Sequence, residues 1–258
     1  MIKVAIAGIN GRMGTMICDT VLAQPDMELV AGFDLAAGKQ IGKTTISNVS
    51  EIDKILRATK PDVLIDFTIA TACVQNVKAA ASNGINVVIG TTGFDEAQQL
   101  TMKTAIEAGG IRAIISPNYS VGIQVFLKML REATKNLEGC DIEIIEAHHN
   151  KKKDAPSGTA LKAAEVIASA MTAEKPKYVY GREGATQRNG NCEIGIHAVR
   201  GGDIVGDHTV LFACDGERIE IKHQAHSRQA FASGAVKAAR WLVSQKPGIY
   251  SMDNMFTD

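Results

Sequence analysis

The sequence predicts an α/β protein with one domain built on a parallel sheet and a second, α+β domain with a mainly antiparallel sheet. In the first half of the 258 residues, short apolar runs alternate with amphipathic segments. That alternation is typical of parallel strands covered by helices on both faces. Residues 193–222 instead contain closely spaced β-rich runs joined by Gly- and Asp-rich turns, which is typical of antiparallel strands.

The first domain is predicted to begin with a strand at residues 2–7 and a helix at residues 14–24. The first segment is a β-rich apolar run, and the second places Ile17 and Val21 at helical spacing. The alternation continues with strands predicted at residues 28–33, 62–67, 86–89 and 112–115, and with helices predicted at residues 70–82 and 95–108.

The second domain is predicted to mix helices with half-exposed strands. Residues 141–147 (DIEIIEA) alternate apolar and acidic side chains, which suits a strand with one face in solvent. Further strands are predicted at EIGIHAV, HTVLFAC and RIEIK, and helices at residues 121–137, 159–171 and 230–244. We assign residues 1–118, completed by residues 228–258, to the first domain, and residues 119–227 to a second domain that interrupts it.

Composition excludes several classes of protein. Lys plus Arg and Asp plus Glu both number 28, so a basic face for nucleic acid or anionic membrane is not expected. No run approaches the ~20 apolar residues that span a bilayer, and the opening run is too short for a signal peptide. The scattered cysteines argue against a disulfide framework and a zinc site, and favour a cytoplasmic protein. They are Cys18, Cys73, Cys140, Cys192 and Cys214.

A glycine-rich turn, GINGRMG, lies between the first predicted strand and the first predicted helix. Glycines there permit a sharp turn and close approach of the backbone to a pyrophosphate, which the helix N-terminus attracts. Asp34 lies at the end of the second strand, where a ribose-binding acid belongs. The turn therefore predicts a dinucleotide site, the alternative being an ordinary βα turn with a solvated aspartate. Its residues are Gly8, Ile9, Asn10, Gly11, Arg12, Met13 and Gly14.

Two further loops follow predicted strands, at the sheet edge where open α/β sheets bind ligands. They offer hydroxyls, an amide and bare backbone to a nicotinamide and its ribose. The first comprises Gly90, Thr91 and Thr92, and the second Ser116, Pro117, Asn118 and Tyr119. Because Asp34 repels a 2′-phosphate and Leu35 follows it, we expect NADH to be accepted at least as well as NADPH. Arg12, Lys39 and Lys43 are nearby cations that could still meet a 2′-phosphate.

A basic cluster, HHNKKKDAPSGTA, leads into the start of a predicted helix. Hydroxyl and N–H groups at that helix start suit a carboxylate, and the histidines can transfer protons near neutral pH. The cluster predicts a pocket for a small anion with more than one carboxylate beside a proton donor, the alternative being a solvated lysine run. A metal is not expected, because adjacent histidines on a strand point to opposite faces. The other histidines are interpreted as sheet residues (His197, His223) or as uninformative (His208, His226).

These motifs resemble the dihydrodipicolinate reductase family nearly end to end. The similar segments are VAIAGINGRMG, VLIDFT, VVIGTTGFDE, SPNYSVG, EIIEAHHNKKKDAPSGTAL, GDIVGDHTVLF and SRQAFASGA. The resemblance implies reduction of a small cyclic imine dicarboxylate in lysine and diaminopimelate biosynthesis, with NADH and/or NADPH as cofactor. It also implies a Rossmann domain for dinucleotide binding, and a substrate domain that joins a homotetramer through its sheets.

The resemblance carries site roles to matching positions. It implies that His148 is the proton donor or acceptor, that Lys152 is the catalytic lysine, and that His149 contacts substrate. The Gly158-Thr159 pair would bind a substrate carboxylate, with Ser157 beside it. Cofactor contacts would fall on Gly8 to Met13, Asp34, Gly90 to Thr92, and Ser116 to Tyr119.

The chain departs from the family pattern at three places. Leu35 and Ile69 stand where some members carry arginine, which puts a preference for NADPH in doubt, and Lys151 stands where histidine is common. Two alternatives stay open. The first is another Rossmann reductase, such as a semialdehyde or homoserine dehydrogenase, although no cysteine has a nucleophile context. The second is a dinucleotide sensor without catalysis, which would not need His148 and Lys152 beside an anion site.

Overall fold

A computed structural model describes residues 1–172, 176–188 and 192–256. The chain divides into two compact units. The first contains Met1–Val121 and Arg228–Asp258, and the second contains Gly122–Ser227. The second unit is thus inserted between two segments of the first.

The first unit is built on an eight-stranded sheet in the order β13-β7-β6-β5-β1-β2-β4-β3, in which all pairings are parallel except that of β3 with β4. Its strands are β1 (Ile2–Ala7), β2 (Met27–Asp34), β3 (Gln40–Ile41), β4 (Thr44–Asn48), β5 (Val63–Asp66), β6 (Asn86–Ile89), β7 (Arg112–Ile115) and β13 (Gly248–Tyr250). Its helices are α1 (Arg12–Leu22), α2 (Ile52–Thr59), α3 (Ala70–Ser82), α4 (Glu96–Gly109) and α7 (Gln229–Leu242), with 3₁₀ turns at Val49–Glu51 and Met252–Met255.

Both faces of this sheet are covered, as the continuous apolar strands predict. One core contains Val4 and Ile6 of β1 with residues of α1 and α7, and the other contains Ala5 of β1 with residues of α2, α3 and α4.

The N-terminus of α4 is fixed by reciprocal side-chain hydrogen bonds. Asp95 accepts a 2.8 Å hydrogen bond from the Gln98 N–H, and the Gln98 side chain accepts one of 3.0 Å from the Asp95 N–H. This capping box ends the loop that precedes the helix.

The second unit contains a five-stranded sheet in the order β12-β11-β8-β10-β9. Its strands are β8 (Asp141–His148), β9 (Lys177–Val179), β10 (Glu193–Arg200), β11 (Gly206–Cys214) and β12 (Glu217–Ala225), and its helices are α5 (Val121–Asn136), which begins at the boundary, and α6 (Gly158–Ala170). Strands β12, β11 and β8 pair antiparallel, while β10 and β9 extend the sheet in parallel from β8. The predicted fold class is confirmed, and the parallel extension is an addition to it.

One core lies on a single face of the smaller sheet. It contains Ile142 and Ile144 of β8 with Ala163 and Ile167 of α6 and residues of α5. The sequence predicted that the acidic side chains of β8 face solvent, and for Glu146 this is wrong. The Ile144-Ile145 doublet breaks the alternation, so Glu146 falls on the core face and is completely buried, whereas Ile145 is 43% exposed.

A disulfide joins Cys140 and Cys214, which corrects the expectation that the cysteines are unpaired. The two cysteines are 74 positions apart, but β8 and β11 pair so that Asp141 lies opposite Ala213. This register brings the two Cα atoms within 4.4 Å, a separation that a disulfide spans. Spacing along the chain could not reveal a pairing that depends on strand register.

Within the described ranges, no helix is long and apolar enough to cross a membrane.

Candidate active site

The glycine turn of the first unit has the geometry that its sequence predicts. Gly8 adopts φ +78°, and a Cβ there would lie 2.7 Å from the Phe67 carbonyl oxygen. A Cβ on Gly14 would lie 2.0 Å from the Gly8 carbonyl oxygen, so a side chain there cannot fit without moving the backbone. Helix α1 begins at Arg12, within this segment. Its first N–H groups have no partner within the helix and are available to an anion.

Asp34 lies at the end of β2, directly beside the glycine turn. Its carboxylate accepts hydrogen bonds from the backbone N–H of Asn10 at 2.9 Å and of Leu35 at 2.8 Å. The Asn10 side chain in turn donates to the Ala36 carbonyl oxygen at 3.0 Å. These contacts hold the carboxylate at the edge of the turn, the position expected of an acid that binds ribose hydroxyls.

A cleft of about 550 Å³ opens at the C-terminal ends of β1, β5 and β6. Six of the predicted cofactor residues line it, together with three from the loop after β5 and the first residue of α3. The lining residues are Gly11, Arg12, Met13, Phe67, Thr68, Ile69, Ala70, Gly90, Thr91 and Thr92. The cleft therefore lies where open α/β sheets bind dinucleotides, and its lining includes glycines that leave the backbone accessible.

A buried aspartate that the motifs did not single out organises two of the loops around this cleft. Asp66 is fully buried at the end of β5 and accepts hydrogen bonds from the hydroxyls of Thr68 at 2.7 Å and Thr91 at 2.9 Å. Its second oxygen accepts one from the Asn76 side chain at 2.8 Å. The Thr91 hydroxyl is therefore committed to Asp66 and to the Thr68 N–H, 2.9 Å away.

In the loop after β7, the hydroxyls of Ser116 and Tyr119 form hydrogen bonds to backbone carbonyl oxygens. The Ser116 hydroxyl donates to the Asn118 carbonyl oxygen at 2.8 Å, and Pro117 lies between them. The Tyr119 side chain is buried, and its hydroxyl lies 2.8 Å and 3.0 Å from the carbonyl oxygens of Ile89 and Ile114. Tyr119 has a core side chain, so the predicted cofactor contact at this position stays a prediction for its backbone alone.

In the second unit, the Glu146 carboxylate connects three elements. It accepts from His148 Nδ1 at 2.6 Å, from the Ser157 N–H at 2.9 Å, and from both Nη atoms of Arg200 at 2.8 Å. Burial acts to raise the pKa of Glu146, but the hydrogen bonds from Arg200, His148 and Ser157 outweigh it and lower the pKa below its usual range. Glu146 is therefore an ionised carboxylate inside the domain.

His208 completes this cluster and was missed as an uninformative residue near a turn. It lies within β11, directly opposite Glu146, and is 3% exposed. Its Nε2 atom lies 3.1 Å from the Ser157 hydroxyl, and its ring meets His148 edge-on at 5.2 Å between centroids. Burial is the main cause that lowers the pKa of His208 to about 4, and His148 lowers it further. His208 is therefore a neutral partner of the helix N-cap.

The helix start predicted to bind an anion is formed as the motif indicates. Ser157 is the N-cap of α6, and its hydroxyl accepts from the Ala160 N–H at 3.2 Å. A Cβ on Gly158 would meet no atom within 4 Å, so open space lies beside this first turn, whose second residue is Thr159. A carboxylate at this end of α6 would face the positive end of the helix dipole.

Lys152 lies in the loop between β8 and α6. Its Nζ atom pairs with an Asp154 carboxylate oxygen at 2.9 Å, and its side chain is 21% exposed. Lys151 and Lys153 are both exposed. His149 follows β8, and its buried Nδ1 atom has no hydrogen-bond partner among the described residues. The described part of the chain contains no cluster of three His, Cys, Asp or Glu side chains arranged to hold a metal.

Comparison with known proteins decides the family. Residues 2–119 match the family model described as dihydrodipicolinate reductase, N-terminus, and residues 122–256 match the corresponding C-terminus model. The chain belongs to the dihydrodipicolinate reductase family. The resemblance inferred from the motifs is therefore confirmed.

Relatives within this family cover nearly the whole chain. The 4-hydroxy-tetrahydrodipicolinate reductase of Methanosarcina mazei is 54% identical, with 99% of both chains covered. That of Methanocaldococcus jannaschii is 51% identical, with 97% of this chain and 96% of the relative covered. Among solved structures, the dipicolinate-bound dihydrodipicolinate reductase of Paenisporosarcina sp. TG-14 has a TM-score of 0.82 at 30% identity, with 99% of both chains covered.

The predicted site residues of this family member fall into two groups, one in each unit. The glycine turn, Asp34 and the loop after β6 lie at one edge of the larger sheet, and the basic cluster lies at the end of β8 and the start of α6. Arg200 and His208 were missed because each is distant in sequence from the motif it contacts, whereas Glu146 lies two positions before His148 and was interpreted as solvent-facing. The Ile144-Ile145 doublet was the one available signal that Glu146 faces the core.

Proposed function

We propose that this protein is an NAD(P)H-dependent oxidoreductase of lysine and diaminopimelate biosynthesis that reduces 4-hydroxy-tetrahydrodipicolinate to tetrahydrodipicolinate. The observation that carries the proposal is the cluster in the second unit. There, one buried carboxylate contacts both His148 and the N–H at the start of α6. A proton-transfer residue is thereby held beside a helix N-terminus suited to a carboxylate, in a chain that matches this reductase family over both halves.

The first unit would hold the cofactor. A reduced nicotinamide nucleotide supplies the hydride when it is bound. Gly8 and Gly14 allow the backbone to approach its pyrophosphate, and the N-terminus of α1 provides N–H groups. Asp34 would accept hydrogen bonds from ribose hydroxyls. The backbone of Gly90 and Thr92 lines the remainder of the cleft.

The second unit would hold the dicarboxylate and supply the proton. One substrate carboxylate would bind at Ser157, Gly158 and Thr159, where the helix dipole favours negative charge. Hydride addition to a conjugated imine leaves electron density on the ring, and a cationic acid must quench it. Lys152 and His148 are the acids of this cluster, and His149 adds a substrate contact.

The activity is tested by mixing the protein with NADH and the product of dihydrodipicolinate synthase and following the loss of NADH absorbance. We expect Lys152→Ala and His148→Ala to lower kcat by about 10²–10⁴-fold, the usual contribution of a positioned acid, with little change in cofactor affinity. Lys153→Ala is the matched control, because Lys153 is exposed in the same loop. Wild-type turnover in both active-site variants would remove these assignments, and no turnover by the wild type would favour a sensor.

We also propose that NADH is accepted at least as well as NADPH. Leu35 is 80% exposed beside Asp34, and Ile69 is 69% exposed on the loop after β5. Neither can pair with a 2′-phosphate, and Asp34 repels one. Leu35→Arg is expected to raise kcat/KM for NADPH with little effect on NADH, and Leu35→Met is its uncharged control. A strong wild-type preference for NADPH would contradict the proposal.

A homotetramer joined through the sheets of the second unit is proposed with this function. Helices α5 and α6 pack on one face of that sheet, whereas Ile145 and Val199 are 43% and 47% exposed. Light scattering on the purified protein tests the mass, and Ile145→Glu is expected to reduce it. A monomeric wild type would refute the assembly. The cytoplasmic location expected from the sequence stays a prediction.

A further inference from the structure

Glu146 is a buried charge of the second unit, and both of its carboxylate oxygens accept hydrogen bonds. Its side chain is fully buried, and an isolated carboxylate in that position would be strongly unfavourable. Four donors compensate it, two to each oxygen. One oxygen accepts from Arg200 Nη2 and the Ser157 N–H, and the other accepts from Arg200 Nη1 and His148 Nδ1. The carboxylate therefore cannot rotate without breaking contacts to all three residues.

The bidentate pair with Arg200 fixes the orientation of the Glu146 carboxylate. Two parallel N–H···O bonds fix the plane of the carboxylate as well as its position. Arg200 also donates from Nη2 to the Asp154 carbonyl oxygen at 2.7 Å, which ties the loop before α6 to the end of β10. Strand β8, strand β10 and the start of α6 are thus joined at one point.

The protonation of His148 follows from the acceptor that it faces. An ionised carboxylate accepts only, so the neutral ring must carry its proton on Nδ1 and leave Nε2 unprotonated. On the Nε2 side lies Gly206, where a Cβ would be 3.0 Å from the Nε2 atom. Among the described residues, the charged or titratable side chains that contact this ring or Glu146 include Arg200 and His208.

We propose that Glu146 is a positioning residue of the active site. It holds His148 in the Nδ1–H tautomer and fixes the position of the His148 ring relative to the start of α6. This inference rests on the proposed function of His148 as a proton-transfer residue. Glu146 acts through His148 and Ser157 and itself touches neither substrate nor cofactor. Arg200 is its partner, because it keeps the carboxylate ionised and oriented.

Glu146→Gln tests this directly. Each oxygen position of Glu146 faces one Arg200 N–H and one other donor, so the new amide NH₂ loses an Arg200 hydrogen bond at either position and the other donor decides which it takes. The backbone N–H of Ser157 cannot change, whereas imidazole can shift its proton to Nε2 and accept at Nδ1. The variant should therefore convert His148 to the Nε2–H tautomer and lower kcat by about 10²–10⁴-fold. Glu146→Asp keeps the charge and should retain the Nδ1–H tautomer and recover part of kcat.

The tautomer is read from long-range ¹H–¹⁵N spectra of the full chain labelled with ¹⁵N-histidine, recorded where the imidazole is neutral. His148→Asn identifies the His148 signals among the six histidines. Glu143→Gln is a matched control. Glu143 lies on the same strand and also pairs with a histidine, His197 Nε2 at 2.6 Å, and with Arg182 at 2.9 Å. It should alter the His197 signals and leave those of His148 unchanged.

The outcomes separate the two proposals. A wild-type His148 with its proton on Nε2, or a Glu146→Gln protein that keeps the Nδ1–H form, overturns the positioning role whatever the activity. The wild-type spectrum decides the matter even if Glu146→Gln does not fold. Absence of reductase activity in the wild type, with the Nδ1–H tautomer present and lost in Glu146→Gln, refutes the proposed function and leaves the positioning intact.

Discussion

Stability should depend on pH through His208, because its pKa is lowered from 6.5 to about 4 in the folded protein. Burial is the main cause, followed by His148 and opposed by Glu146; His223 lowers this pKa as well, and Asp207 opposes the shift. Between these two values the unfolded chain binds more protons at this residue than the folded chain. The free energy of unfolding therefore decreases as the pH falls through 6.5 and stops decreasing, for this group, below about 4.

The lowered pKa corresponds to about 3 kcal/mol of stability, lost over the whole window. We expect His208→Asn to remove that part of the slope, whatever the substitution does to stability at neutral pH. His223 adds to the slope in the same direction, because burial lowers its pKa as well.

The measurement is urea unfolding followed by circular dichroism at a series of pH values across this window. Wild type and His208→Asn are compared by slope, and His226→Asn is the control because His226 is exposed. Parallel curves for wild type and His208→Asn would refute the reasoning, since a buried neutral histidine must release its proton on folding.

Three further predictions concern packing and covalent structure. Gly14→Ala places a Cβ 2.0 Å from the Gly8 carbonyl oxygen. It should cost about 1–3 kcal/mol and weaken nucleotide binding in calorimetry, whereas Gly201→Ala meets open space and should do neither. Alkylation of the denatured chain without reductant should label three cysteines, and reducing the Cys140–Cys214 bond should lower the free energy of unfolding by about 4 kcal/mol; five labelled cysteines would contradict the pairing. Asp66→Asn should cost about 1–3 kcal/mol, because an amide N–H then faces donors of Thr68, Thr91 or Asn76; unchanged chemical denaturation would contradict that network.

Local patterns were sufficient for most of the larger sheet. Strands β1, β6 and β7 and helix α3 have the predicted bounds, because continuous apolar runs and helical spacing depend only on neighbouring residues. The elements that were not predicted, such as β3, α2 and β13, are short. Their stability comes from pairing or packing against a sheet that already exists, which a local pattern does not report.

The candidate sites show the same division. The glycine turn and the Ser157 cap were predictable, because each is a conformation of fewer than ten consecutive residues. Glu146 was interpreted as solvent-facing, and His208 as uninformative. Glu146 shares β8 with His148, but its other donors lie on β10 and at the start of α6. His208 lies on β11, and only the register between β8 and β11 places the two residues opposite each other.

The sequence by itself determined the order of the main elements, the glycine turn predicted to bind a dinucleotide, the helix start predicted to bind an anion, and the family. Tertiary structure alone decided the ionised state of buried Glu146, its bidentate pair with Arg200, the neutral His208 and the Cys140–Cys214 bond. The physical reason is the separation along the chain between the residues that interact. A turn or a helix cap is specified by residues adjacent in the chain, whereas a buried charge is stable only where strands from distant parts of the chain bring its donors together.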